Sequence, residues 1–389
     1  MKYRFKPICY LIIISFFTGY FILPKTSNAS EPIIIGVLHW ESYPYAAMMK
    51  NSFEMAMDVV NKNGGIKGRN LKLVYADDQG TRELGEKAVK YLVNKAGAVM
   101  LTGGYASSNT LYTARTSDNS DTPFLICTAA DDRITQRKMK NVYRLNPPAS
   151  EYTKGLEDFF IESVKPKSMA IIYENSPYGT GSALRMMWFC REKDIEIRAI
   201  ISYHKERIKN KSTASGYFHK LVSPLKTDAP DVIYMVSYLK DGAMLVRTIR
   251  ELNIKSLLCG GAGGFTHQKL ITATGEAGKN LLTATLWFHK TQYPGTREYY
   301  NQYVEKYSAP PEYHGAEAYS ALLVAADALK RAESFSPNSI RKALNKTDLK
   351  TPFGPVKFKS YGKFERQNSL PTMVLQVING KFECVWPKK

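Results

Sequence analysis

One stretch, IIIGVLHWESYPYAAMMKNSFEMAMDVVNKNGGIKGRNLKLVYADDQG from Ile33 to Gly80, constrains the fold more than any other part of the chain. A β-branched run, Ile33–Val37, stops at a polar and aromatic turn, His39–Tyr45. Apolar residues then recur every three or four positions, at Met49, Phe53, Met57 and Val60, which predicts an amphipathic helix. Asn63-Gly64-Gly65 ends it, because glycine accepts the positive φ of a helix C-cap. A second strand, Leu71–Ala76, runs into Asp77-Asp78. The unit is βαβ, and the turn after its first strand lacks the glycines with which such units grip a dinucleotide. Something other than a nucleotide is expected at that strand end.

The first thirty residues have the layout of an export signal. Lys2, Arg4 and Lys6 precede an apolar run, Ile8–Leu23, and Ser27-Asn28-Ala29 offers the small residues of a cleavage site. The run is shorter than the ~20 apolar residues of a spanning helix, and Gly19 and Pro24 interrupt it. Cleavage after residue 30 and release into the periplasm are therefore expected, as a monomer. Cys9 precedes the apolar core, so it is no lipid-bearing cysteine after a cleavage site. Cys127, Cys190, Cys259 and Cys384 are widely spaced without a CxxC pair, which argues against zinc ribbons and redox motifs and for buried thiols. The net charge is +19, with four of those charges in the leader. Basic residues are scattered among acidic ones, and the densest cluster, Lys205–Lys211, is short, so a solvated basic surface is expected rather than a nucleic-acid interface.

Strand-like and helix-like runs alternate along the rest of the chain, for example Met169–Tyr173, Gly181–Lys193, Val232–Val236 and Gly242–Leu252. Alternation of this kind predicts an α/β fold of doubly wound parallel sheets covered by helices on both faces. Residues 31–389 exceed the ~250–300 that one core supports, so two lobes are expected. Asn146-Pro147-Pro148 divides two βα series of similar style, and the C-terminal part holds two long helix patterns and three short strands.

Several motifs occur in an order that carries a resemblance. They are Asn63-Gly64-Gly65-Ile66-Lys67-Gly68-Arg69, Asp77-Asp78, Gly103-Gly104-Tyr105-Ala106-Ser107-Ser108, Ile171-Ile172-Tyr173-Glu174 with Tyr178-Gly179, and Gly315-Ala316-Glu317-Ala318-Tyr319. Together they resemble the type I periplasmic solute-binding proteins of ABC transporters, in the branched-chain amino acid branch, over essentially all of Pro32–Trp386. The resemblance implies two lobes joined by a three-crossover hinge, near Pro147, Leu286 and Pro352. Lobe 1 would be residues 31–148 plus 288–350, and lobe 2 residues 149–287 plus 351–389. It also implies a small-molecule solute, a hydrophobic amino acid or related carboxylate, held between closing lobes and passed to a membrane permease. No cofactor or metal is implied.

Ligands of open α/β sheets bind beyond the carboxyl ends of the strands, which singles out the turns there. Ser107, at a strand-to-helix turn, matches the family serine that grips the solute carboxylate; a plain capping role is the alternative. Ala130 and Asp131 match the loop that supplies a backbone carbonyl and a threonine hydroxyl, with Asp131 in the threonine's place. A carboxylate there pairs with an ammonium or serves as an ordinary turn residue. Tyr178 matches a tyrosine that faces the cleft, and Tyr238 is a second of its kind. Trp40, Tyr43 and Tyr105 crowd the first-lobe turns and favour an apolar or aromatic solute body. Amino acid binders carry a glutamate in the loop that matches Gly260–Gly264, where Ala262 stands here. Asp131, Asp78 or Glu41 would replace it, or the solute has no ammonium.

Enzymatic motifs are absent. No Lys-Ser/Thr follows the Gly260–Gly264 loop, and there is no HExxH, no GxSxG and no close His/Cys ligand spacing. The expectation is a receptor rather than an enzyme, with a sensory module or a hydrolase on the same scaffold as rivals.

Overall fold

The computed structural model describes Met1, residues 31–204 and residues 211–387. The leader at 2–30 and nearly all of the Lys205–Lys211 cluster lie outside the described residues. Two seven-stranded sheets form the chain's framework. The first takes β1 (Ile33–His39), β2 (Leu71–Asp77), β3 (Met100–Gly103), β4 (Phe124–Ile126) and β5 (Val142–Arg144). The second takes β6 (Ser168–Glu174), β7 (Glu196–Tyr203), β8 (Val232–Val236), β9 (Leu257–Gly260) and β10 (Leu282–Thr285). Beyond a small hairpin of β11 (Leu349–Thr351) and β12 (Gly354–Val356), the chain returns to both sheets. β13 (Lys359–Tyr361) and β14 (Phe364–Gln367) join the first, and β15 (Met373–Ile378) and β16 (Lys381–Trp386) join the second.

Each sheet repeats the same parallel order. The first reads β2-β1-β3-β4-β5 and the second β7-β6-β8-β9-β10, the doubly wound arrangement. Strand order reverses between β1 and β3 and again between β6 and β8. The backbones splay apart at such a point, so the turns that follow these four strands border a crevice.

Helices α1 (Ala46–Lys62), α2 (Arg82–Asn94), α3 (Ser107–Asn119), α4 (Lys154–Phe159), α5 (Pro177–Glu192), α6 (Lys211–Val222), α7 (Leu239–Glu251) and α8 (Gln268–Thr274) connect the strands. α9 (Thr296–Tyr307), α10 (Tyr313–Arg331) and α11 (Pro337–Asn345) complete the first lobe. α1 buries Met49, Phe53 and Val60 of the predicted face together with Ala56, while Met57 is half-buried, and Gly64 and Gly65 take φ of +84° and +66° behind it. β1, flanked on both sides, is buried along nearly its whole length, which its unbroken apolar sequence anticipates. A residue with a Cβ is excluded at the end of β3: Gly103 has φ +96°, and a Cβ there would lie 2.2 Å from the Leu38 carbonyl oxygen. Cys127, Cys190 and Cys259 are buried thiols outside any disulfide, and Cys384 is half-buried. No helix among the described residues is long and apolar enough to cross a membrane.

Sheet membership corrects one boundary. The third crossover falls between Gln367 and Met373, not near Pro352, because β13 and β14 still belong to the first sheet. The physical reason is Arg144, a guanidinium with no exposed surface. Its Nε donates to Gln367 Oε1 at 2.6 Å, one Nη to the Asp131 carbonyl at 2.6 Å and the other to Thr135 Oγ1 at 2.9 Å. Gln367 in turn donates to the Asn146 carbonyl at 2.8 Å. These bonds tie the 129–135 turn, the first crossover and β14 to one side chain. Arg144→Leu should lower unfolding free energy by about 3 kcal/mol or more, since each buried acceptor left without a donor costs ~1–3 kcal/mol. Urea unfolding checks this; an unchanged midpoint would show that the network is dispensable.

Candidate functional site

The turns after β1, β3, β4, β6, β8 and β9 converge between the lobes. Tyr105, Ser107, Thr128 and Ala130 from the first lobe meet Tyr178, Tyr238 and Gly263 from the second around a small cavity. Tyr152, from the segment after the first crossover, and Tyr313 and His314, at the start of α10, close it. Its volume is about 20 Å³, room for about one water. A roomier cleft of about 510 Å³ lies beside the second crossover, between Trp287–Lys290 and Phe382 of β16 on one side and Met48 and Pro310–Glu312 on the other, and it reaches Thr266–Gln268 just beyond the Gly263 loop.

Ser107 is the first residue of α3, and the capping position before it belongs to Ala106. Its role is therefore not a plain N-cap. Ser107 Oγ accepts the backbone N–H groups of Ala130 at 3.0 Å and Asp131 at 3.2 Å, which pins the turn after β4 to the helix start. With its lone pairs so engaged, the hydroxyl hydrogen is left to point at an acceptor in the cavity. Two tyrosines are prepared in the same way. Tyr152 Oη accepts from Asn146 Nδ2 at 2.6 Å, and Tyr313 Oη accepts from the Gly263 N–H at 3.2 Å. Burial pushes the hydroxyls of Tyr105, Tyr152, Tyr178 and Tyr313 well above the ordinary tyrosine range, so each remains a protonated donor at every physiological pH.

The Gly261-Ala262-Gly263 tripeptide is the most tightly held part of the site. Tyr178 Oη donates to the Gly261 carbonyl at 2.7 Å, and Tyr45 Oη donates across the lobes to the Gly263 carbonyl at 2.9 Å. Between them Ala262, wholly buried, takes φ +59°, a conformation an L residue adopts only when its surroundings impose it. A Cβ at Gly263 would sit 2.3 Å from Tyr178 Oη, so the loop tolerates no side chain there. Thr266 Oγ1 adds a bond to Glu312 Oε2 at 2.9 Å. Aromatic rings pack around this loop. Tyr45 lies 4.1 Å from His314, Tyr43 4.3 Å from Tyr105, and Tyr178 5.7 Å from Tyr238.

Of the residues singled out from sequence, Ser107, Ala130, Tyr105, Tyr178 and Tyr238 line the cavity. Tyr43 backs Tyr105, and Trp40 stacks behind Tyr43 at 4.6 Å, so these two support the wall without forming it. Asp131 is a correction. Its carboxylate accepts the Arg133 backbone N–H at 2.9 Å and pairs with the Arg133 guanidinium at 2.7 Å, the turn role and not the ammonium role. The Ala130 backbone is likewise engaged, its carbonyl accepting from Ala149 N–H at 2.7 Å. Asp78 lies in the turn after β2, accepts the Gly80 N–H at 2.9 Å and faces Asn109 of α3, outside the cavity wall. Glu41 is exposed. Sequence reasoning missed Thr128, Tyr152, Gly263, Tyr313 and His314 as wall residues. Thr128 and Gly263 sat in turns already marked by the strand-end rule. Tyr152, Tyr313 and His314 follow a crossover and open a helix, places that rule does not reach.

The profile of the periplasmic binding protein family matches residues 32–381. The chain belongs to that family. Among its relatives is Leu/Ile/Val-binding protein homolog 7 of Brucella suis, 27% identical, with 94% of each chain covered. The fold is that of LivJ from Streptococcus pneumoniae, solved with isoleucine, at a TM-score of 0.80 and 20% identity over 90% of this chain and 98% of that one. A solute-binding protein of Rhodopseudomonas palustris solved with benzoate matches at a TM-score of 0.78 and 16% identity, covering 91% and 95%. The fold it shares with these structures is the two-lobed one of type I periplasmic binding proteins, and the Brucella relative bears the name of a Leu/Ile/Val-binding protein. The expected two-lobed α/β fold stands.

One residue near the site makes a pH-dependent contribution. Burial raises the Asp78 carboxyl from its ordinary value of 3.8 to about 6, so the folded state resists its ionisation. The cost is absent below about pH 4, grows between about pH 4 and 6, and is complete above 6. Asp78→Asn keeps an acceptor for Gly80 and removes the charge. It should stabilise the protein by about 3 kcal/mol at pH 7.5 and by well under 1 kcal/mol at pH 4. Melting curves at the two pH values read the difference; equal gains at both would rule out the charge as the cause.

Proposed function

We propose that this protein is an exported receptor that captures a small hydrophobic amino acid or a related carboxylate between its lobes and presents it to the permease of an ABC importer. The observation that carries the reading is the donor set at the cavity: the hydroxyls of Ser107, Tyr152 and Tyr313 each accept a hydrogen bond from the protein and keep a hydrogen for an anion. The carboxylate goes to these donors, and the apolar body goes against Tyr105, Tyr178, Tyr238 and His314. Isoleucine in the Streptococcus relative and benzoate in the Rhodopseudomonas one are solutes of this kind. The thirty-residue leader would be cleaved on export and leave a monomer in the periplasm.

A thermal-shift series with leucine, isoleucine, phenylalanine and benzoate tests the reading, since a solute at 100 times its Kd stabilises by about 2.7 kcal/mol. No shift with any of the four would count against it. Ser107→Ala should weaken the solutes that bind by roughly 1–3 kcal/mol, and should also cost stability, because the Ala130 and Asp131 N–H groups lose their acceptor. Calorimetry that finds unchanged affinity would confine Ser107 to holding the turn.

A further inference from the structure

We propose that Glu317, together with Asn146, is the counter-charge for an ammonium group on the solute, so that the solute is an α-amino acid and not a simple carboxylate. The proposal rests on the inter-lobe cavity being the solute site. The Gly260–Gly264 loop that borders the cavity holds no acid, and Asp131 and Asp78 are committed elsewhere. Glu317 lies on α10 one turn beyond Tyr313, and residues four apart share a helix face. It has no exposed surface, and neither carboxylate oxygen makes a well-formed hydrogen bond, though the neighbouring Thr128 hydroxyl favours its charged form. Asn146, also wholly buried, donates through Nδ2 to the Thr128 carbonyl and to Tyr152 Oη, which leaves its Oδ1 without a donor.

Both groups sit behind the same part of the wall. The Thr128 side chain bears on the Glu317 carboxyl, and the Glu317 charge acts on Tyr152 and Tyr313. Thr128, Tyr152 and Tyr313 all line the cavity. Buried acceptor capacity on Asn146 Oδ1 and the Glu317 carboxyl is costly to leave without donors, and an ammonium brings three donors and no acceptor. A solute with only a carboxylate supplies none of those donors and adds a like charge. Ser107, the carboxylate donor, bonds to the Ala130 N–H, two residues from Thr128. The two charged groups of an α-amino acid are attached to one carbon and match that closeness.

Proton bookkeeping follows from the burial. Buried among Cys127, Tyr152, Tyr313 and Glu312, with no basic partner among the described residues, the Glu317 carboxyl titrates well above its ordinary value. It is protonated before the solute arrives. When the ammonium docks, the Glu317 O–H bond breaks, the carboxylate keeps the electron pair, and one proton leaves to solvent.

The test compares leucine and phenylalanine with 4-methylpentanoate and 3-phenylpropanoate by calorimetry, on wild type and on Glu317→Gln, which keeps the shape of the neutral acid. The amino acids should bind the wild type and lose ~30-fold or more in Glu317→Gln, the loss expected when a buried charge is deprived of its partner. The deaminated acids should change little. Titrations in buffers of different ionisation enthalpy should show about one proton released per leucine bound to wild type, a reading that needs no variant. Amino acid binding that survives Glu317→Gln, or that releases no proton, overturns the proposal, as does a wild type that binds the deaminated acids and not the amino acids; in that last case the cavity remains the solute site. If neither class binds the wild type, the solute-site reading falls and this proposal with it.

Discussion

The site depends on how three consecutive residues are bonded. Gly261, Ala262 and Gly263 have backbone groups buried where water does not reach, and such groups need partners. Tyr178 of the same lobe satisfies the Gly261 carbonyl, while Tyr45 and Tyr313 of the other lobe satisfy Gly263 on its carbonyl and its N–H. A loop that would otherwise be strained at Ala262 is fixed by bonds arriving from both sides. Parting the lobes breaks the bonds to Tyr45 and Tyr313 and exposes those groups to water instead. In the proposed receptor, closure and site assembly would be one event, and a solute that bridges the lobes would shift the balance towards the closed form.

Chemistry at the cavity is set by burial more than by net charge. The chain carries +19 overall, yet no lysine or arginine among the described residues lines the pocket. Buried tyrosines held in their protonated form supply donors for an anion, and their rings supply the apolar wall. Arg144, the buried cation nearest this machinery in sequence, is spent on backbone carbonyls and Gln367 and holds the loops in place.

Much of the fold was legible because the βα units write themselves locally. Ile33–Val37, the Met49–Val60 periodicity and the Gly64-Gly65 stop need no distant partner to be read. The strand-end rule then placed Tyr105, Ser107, Ala130, Tyr178 and Tyr238 at the cavity. What it could not place depends on long-range contact. β13 and β14 are three and four residues long, and their allegiance to the first sheet rests on Gln367 reaching Arg144 across 223 positions. Tyr152, Tyr313 and His314 reach the cavity only because the crossovers bring their elements to it. Asp131 was open to two readings, and Arg133, two residues on, decided for the turn.

The central claim is that solute binding and lobe closure are coupled through the bonds on Gly263. Small-angle X-ray scattering of the wild type and of Tyr45→Phe, titrated with whichever amino acid stabilises the protein, tests it most directly. The account predicts that the radius of gyration of the wild type falls on saturation, and that Tyr45→Phe, lacking the donor to the Gly263 carbonyl, needs more solute to reach the same compact form. Saturation with no change in scattering, or identical titrations for the two proteins, would contradict it.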